Sequence, residues 1–199
     1  MNNMDRVKFK RLIVGVCIST LFVNATLAQE NDSIQCQTIV LQEGWSIFST
    51  FIEVEDSDCE SIQSYLSIGG SNIVIIKDNF GNGFLPFWDM ACNINFNNTQ
   101  GYYIKVNEPD TFQFCGQITN TDENMIMLNQ GWNIIPYLYD YSIDLEVALS
   151  DILNDIFLVK DIYGDVYYPA MNYNGIGNLI PGNGYQIKMN SPKSFYYLN

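Results

Sequence analysis

The sequence contains no histidine, and its two arginines, Arg6 and Arg11, both lie within the first eleven residues. A Ser-His-Asp triad, a Cys-His pair, a His-ligated metal and an arginine clamp are therefore excluded for the rest of the chain. Long apolar runs are missing too. The longest, Leu12 to Val23, is interrupted by Ser19 and Thr20, whereas a spanning helix needs roughly 20 apolar residues. The Gly-rich stretches "GNGFLP" and "PGNGYQIK" neither precede a helix nor carry the Gly-Lys-Ser/Thr end of a phosphate loop, so both read as turns.

What the N-terminus does contain is a basic start (Arg6, Lys8, Lys10, Arg11), that short apolar run and a small-residue exit at "TLA". These are the parts of a secretory signal. Residues 1–28 are read as a signal peptide cleaved after Ala28. Val16 before Cys17 does not suit a bacterial lipoprotein site, so no lipid anchor is expected. Cleavage removes four basic residues and one acidic one from totals of 9 and 22, leaving 5 − 21 = −16. Such a field repels phosphate backbones and anionic headgroups. Neither nucleic acid nor membrane insertion is expected of the mature chain, and the expected location is secreted, periplasmic or at the cell surface.

Four cysteines remain, Cys36, Cys59, Cys92 and Cys115. An even number in an exported chain reads as disulfides. Of three connectivities we favour Cys36 with Cys115 and Cys59 with Cys92. The first would close a long loop worth about 3 to 4 kcal/mol in the chain-entropy model.

The chain is written twice. "LQEGWSIFSTF" from Leu41 matches "LNQGWNIIPYL" from Leu128, "IIKDNFGNGFLP" from Ile75 matches "LVKDIYGDVYYP" from Leu158, and "GYYIKVNEPDTFQF" from Gly101 matches "GYQIKMNSPKSFYY" from Gly184. The offset falls from 87 to 83, placing four extra residues at "SIGG", Ser67 to Gly70. The organisation expected is an N-terminal tail at 29–35, a first repeat at 36–117, a linker at 118–123 and a second repeat at 124–199.

Each repeat reads as β-α-β-β-β-β. Ser57 with Glu60 forms a capping-box pattern in the first, and Asp144 caps the Leu145, Leu149, Ile152, Leu153 stripe in the second. Gly81 and Gly164 suit hairpins, and Pro86 and Pro169 should end the strands that follow. The "GYYIKV" and "TFQFC" strands read as a closing hairpin. The fold class expected is α+β, mostly β: two tandem small barrel-like or curled antiparallel units, each with one short helix.

The ordered set Gly-Trp-Ser/Asn, Val/Ile-Lys-Asp-x-x-Gly, "YP", "NGIG" (Asn174 to Gly177) and Gly-x-Gly-Tyr-Gln-Ile-Lys (Gly182 to Lys188) resembles a tandem β-rich repeat of exported surface proteins from marine and Bacteroidetes-type bacteria and their phages. The first copy departs from it at the "NGIG" and Gly-x-Gly steps. The resemblance implies export and a structural or binding role, with no reaction attached.

The expected function is accordingly a non-enzymatic module for adhesion, surface assembly or glycan binding. The partners considered are an extracellular glycan, a surface protein or a second copy. The alternative is a self-assembling extracellular subunit using "SFYYLN" as an edge, and the outsider is a carboxylate-dependent glycoside hydrolase. No cofactor is expected. The acid-rich "EVEDSD" (Glu53 to Asp58) and "DIYGD" (Asp161 to Asp165) suggest calcium at most, without an EF-hand pattern. Trp45 and Trp132, recurring at equivalent positions, read as core. Lys77, Lys105, Lys160 and Lys188 read as charge partners of the many acids. Candidate ligand loops are those where the copies differ: Trp88, Asp89 and Asn93 in the first, and Tyr168, Asn172, Tyr173 and Asn174 in the second. There, aromatic faces sit beside amides and a carboxylate, the combination that sugar sites use.

Overall fold

Strict alternation of apolar and polar side chains gives each strand one buried face. β1 (Gln35–Leu41) buries Ile39 and Leu41, and β6 (Asp110–Gly116) buries Phe112 and Phe114. In the computed structural model, which describes residues 34–54, 72–88 and 92–197, these two strands pair antiparallel, with Cys36 opposite Cys115. The two cysteines form a disulfide across 79 residues of chain. Cys92 is also disulfide-bonded, to a partner outside the described residues, where Cys59 lies as well. The signal segment, the Ser57 helix and the "SIGG" loop also fall outside them.

The main sheet of the first half runs β2 (Gly44–Phe48), β5 (Tyr102–Val106), β3 (Ile73–Lys77), β4 (Gly83–Phe84). The second half has β8 (Gly131–Ile135), β14 (Tyr185–Met189), β10 (Ile156–Lys160), β11 (Val166–Tyr168) in the same order, extended by β12 (Tyr173–Asn174). Its two-stranded ribbon pairs β7 (Ile126–Leu128) with β15 (Lys193–Phe195), as β1 pairs with β6. A further short ribbon pairs β9 (Ile143–Asp144) with β13 (Asn178–Leu179). Even the irregularity repeats: β3 slips on β5 between Ile73 and Ile75, and β10 slips on β14 between Ile156 and Leu158. The fold is mostly β, with several antiparallel sheets and none closed into a barrel.

The expected closing hairpin does not form. β5 and β6 belong to different sheets, because each has a single apolar face and the two faces are covered by stacking the strands as layers. Phe48 of the sheet meets Phe112 of the ribbon at 4.8 Å between ring centroids. Each half thus has its own core, one around Leu41, Ile104 and Phe112, the other around Ile135, Ile187 and Tyr197.

Local signals were obeyed elsewhere. Gly81 and Gly164 take positive φ in the β3–β4 and β10–β11 turns, a conformation cheap only for glycine. Pro86 and Pro169 end β4 and β11 and open short 3-10 turns. The Asp144 carboxylate accepts from the Glu146 and Val147 amides, capping α1 (Leu145–Ala148), and a 3-10 turn over Ser150–Asp155 carries the apolar stripe onward. Leu145, Leu149 and Ile152 are fully buried. In the C-terminal segment Phe195 and Tyr197 are also buried, so their rings anchor the second core. No helix among the described residues is long and apolar enough to cross a membrane.

The described residues make one compact body, and the halves meet through equivalent contacts. Gly184 N donates to Ile47 O at 3.0 Å, and Gly101 N donates to Ile134 O at 3.3 Å. Contact of i with j and of j's equivalent with i's equivalent is the logic of a two-fold interface, here within one chain. The segment joining the halves is tied down, with Ile118 bridged to Ile52 and Thr119 N donating to Phe51 O.

Candidate functional site

The two sides of this interface are not alike. On one side Ser49 follows β2. Its amide donates to Gly182 O at 3.1 Å, and its hydroxyl donates to Asn183 O at 2.6 Å and accepts from Tyr137 N at 2.9 Å. On the other side the equivalent residue is Pro136, which has no N–H and no hydroxyl. The amide and hydroxyl bonds made at Ser49 cannot form there, although Gly101 N still reaches Ile134 O on that side. Two adjoining clefts of ≈ 260 and ≈ 300 Å³ open along that side, sharing Asn79, Asn133 and Ile134 as lining. The equivalent crevice on the Ser49 side holds only ≈ 40 Å³.

One wall is the tip of the β3–β4 hairpin. The buried Asp78 shapes it: Oδ1 accepts from Phe80 N at 2.8 Å and Asn82 N at 2.9 Å, and Oδ2 accepts from the Asn82 side chain at 2.7 Å. This turn leaves Phe80 70% exposed. The opposite wall is β7, β8 and the turn between them, presenting Met127, Trp132 and Asn129. Asn133 stiffens that wall, donating to the carbonyls of Asn129 and Gly131 and accepting from Asn129 N. Thr99 and Gln100 line the first of the two clefts, and Tyr103 and Gln186 the second. Gln100 Oε1 is buried without a hydrogen-bond partner. Burial raises the Tyr103 hydroxyl above its usual range, so it remains a neutral donor at ordinary pH.

Asn79 on the open side corresponds to Ile162 on the closed one, whereas the matched Gln100 and Asn183 are both amides, so the two crevices differ chiefly in size. The open groove combines exposed aromatic surfaces with amides that donate and accept.

Trp45 and Trp132 are not core residues. They are 43% and 45% exposed, on the outward faces of the two sheets, because recurrence fixes a position on the strand and not which face is covered. Nor do the four recurring lysines pair with acids among the described residues. Lys77 Nζ stands 5.0 Å from the Trp45 ring and 4.8 Å from Tyr103. Lys160 stands 5.0 Å from Trp132, and Lys188 4.6 Å from Phe157 and 5.9 Å from Trp132. Among the described residues the only lysine in an ion pair is the fifth, Lys193, 3.3 Å from Asp155.

The loop residues singled out in the sequence lie elsewhere. Asp89 and the Trp88 side chain are outside the described residues. Asn93 accepts from Gly83 N at 2.7 Å and so props β4. Tyr168 packs on Phe157, 5.7 Å between centroids, and is paired with Tyr173 across β11 and β12. Asn172 takes a left-handed conformation at the end of the 3-10 turn, and Asn174 accepts from Gly177 N at 2.8 Å. The structure gathers the second-half set on one hairpin, where its two asparagines form turns. Of the acid-rich loops, "EVEDSD" is described only at Glu53 and Val54. Asp161 Oδ1 accepts from Tyr163, Gly164 and Asp165 amides, and no metal-holding cluster occurs among the described residues.

Comparison with family models, curated proteins and solved structures finds no match to the chain.

Proposed function

We propose that the protein is an extracellular glycan-recognition module that takes its ligand in the groove between its halves. The observation that carries this reading is the asymmetry of the interface: the same crevice occurs twice, and the copy facing Pro136 is open, amide-lined and flanked by Phe80 and Trp132. Aromatic faces stack on the apolar faces of sugar rings, and side-chain amides match hydroxyl groups as both donors and acceptors. A non-catalytic role fits the lining, whose one carboxylate, Asp78, has both oxygens committed to its own turn. The disulfide and the resemblance to repeats of exported surface proteins support an extracellular setting.

Glycan-array binding of the purified protein tests this. Wild type should bind, Phe80→Ala and Trp132→Ala should each bind about tenfold more weakly, and Tyr163→Ala, at the equivalent tip on the closed side, should bind as wild type does. Binding indifferent to Phe80 and Trp132 would move the site away from the groove. Ordered polymers in electron micrographs, with no glycan bound, would favour a structural subunit.

A further inference from the structure

Beyond Ala28 the chain has five lysines and 21 acidic residues, yet four of those lysines form no ion pair among the described residues. Three of them, Lys77, Lys160 and Lys188, hold their ammonium groups over aromatic rings instead, at 4.6 to 5.9 Å. The acids next to Lys77 and Lys160 in sequence are committed elsewhere: Asp78 and Asp161 accept amide hydrogens within their own turns. A ring beneath an ammonium group restrains its position without neutralising its charge. The donors are thus placed in advance and left available.

These faces are continuous with the groove, since Lys77 and Trp132 both line it. From there Trp132 and Lys188 sit directly opposite each other on β8 and β14, and Phe157 on β10 lies beyond, against Lys188. Aromatic surface and positive charge alternate across three strands spaced about 4.8 Å apart. The net charge of −16 that follows from 5 lysines and 21 acids does not cancel this strip at contact range, because salt screens charges beyond about 8 Å under physiological conditions.

From this we infer that the ligand is an anionic polysaccharide, bearing carboxylate or sulfate groups, lying from the groove across Trp132, Lys188 and Phe157. The inference rests on the glycan reading above and adds the charge of the sugar. Rings stack on Trp132 and Phe157, and the anionic groups accept hydrogen bonds from Lys188, Lys160 and Lys77.

Binding of the full chain is measured to polygalacturonate and to its fully methyl-esterified form, and to dextran sulfate and dextran. Each pair has one backbone with and without charge, and the pairs distinguish carboxylate from sulfate. At least one charged polymer should bind tenfold or more tighter than its neutral partner. The Lys160→Met/Lys188→Met double variant, which keeps the apolar stems over the rings, should reduce that preference to about threefold or less, the share left to Lys77. Equal binding of charged and neutral partners, or a preference untouched by the double variant, overturns the inference while leaving the groove as a sugar site. Binding to none of the four overturns the inference, and the glycan array then decides the sugar reading by itself. Poly-glutamate bound as tightly as the best polysaccharide, and unaffected by Trp132→Ala, also overturns it, since only charge would then be recognised.

Discussion

Gly184 approaches Ile47 so closely that a Cβ on Gly184 would lie 2.7 Å from Ile47 Cγ2 and 3.1 Å from Phe48 O, while its amide donates to the Ile47 carbonyl at 3.0 Å. Gly101 stands in the same relation to Ile134, at 2.9 Å. The repeated glycine that opens "GYYIK" and "GYQIK" is therefore where the two halves touch.

Gly101→Ala and Gly184→Ala should each destabilise the protein by about 1–3 kcal/mol, the usual cost of forcing an extra carbon into a packed contact. Thermal or denaturant melts measure this. Unchanged midpoints for both would show that the halves do not rely on this approach.

Pro136→Ser restores the amide and hydroxyl present at Ser49. If missing donors keep the groove open, the variant should draw Thr99 and Gln100 toward β8, slow hydrogen exchange there and weaken ligand binding, with stability changing by about 1 kcal/mol or less, since a new hydrogen bond offsets the lost rigidity of proline. Unaltered ligand affinity would remove Pro136 as the cause of the asymmetry.

Replacing Cys36 and Cys115 together by alanine should lower stability by about 2–5 kcal/mol, read from the denaturant midpoint. The loss should appear first as faster amide exchange in β1 and β6, the ribbon that the bond pins. A midpoint shift equivalent to less than about 1 kcal/mol, well under the usual cost of losing a disulfide, would assign the ribbon's stability to Phe112 and Phe114 instead.

Alkaline pH should unfold the protein through its tyrosines. Burial pushes the hydroxyls of Tyr102, Tyr137, Tyr185 and Tyr197 upward, so above about pH 10 the unfolded chain sheds protons that the folded chain keeps. Stability from these groups is constant below that pH and falls as pH rises toward the folded-state values. Tyrosinate absorbance should rise in two stages, exposed rings first and buried rings together with loss of structure. A single smooth rise with the fold intact would contradict this.

Much of the fold was legible because its signals are local. The Asp144 cap, the turns at Gly81 and Gly164, the stops at Pro86 and Pro169 and the Cys36–Cys115 bond each depend on a few neighbouring or paired residues. The layering of β5 over β6 was not legible, because alternation reveals that a strand has a buried face without saying what covers it. For the same reason Trp45 and Trp132 were misplaced in the core. The groove depends on how two distant segments meet, so no single motif encodes it. Its trace in the sequence is a pair of differences between matched positions, Ser49 against Pro136 and Asn79 against Ile162, lying inside the stretches that the two halves otherwise share.

In a dimer of identical subunits, a proline at the position of Ser49 would enter both sides of the interface at once and remove the closing bonds from each. Carrying both halves on one polypeptide uncouples the two sides. One junction can hold the body together while the other is free to change, so a sequence alteration that widens a recognition surface does not also loosen the joint that supports it.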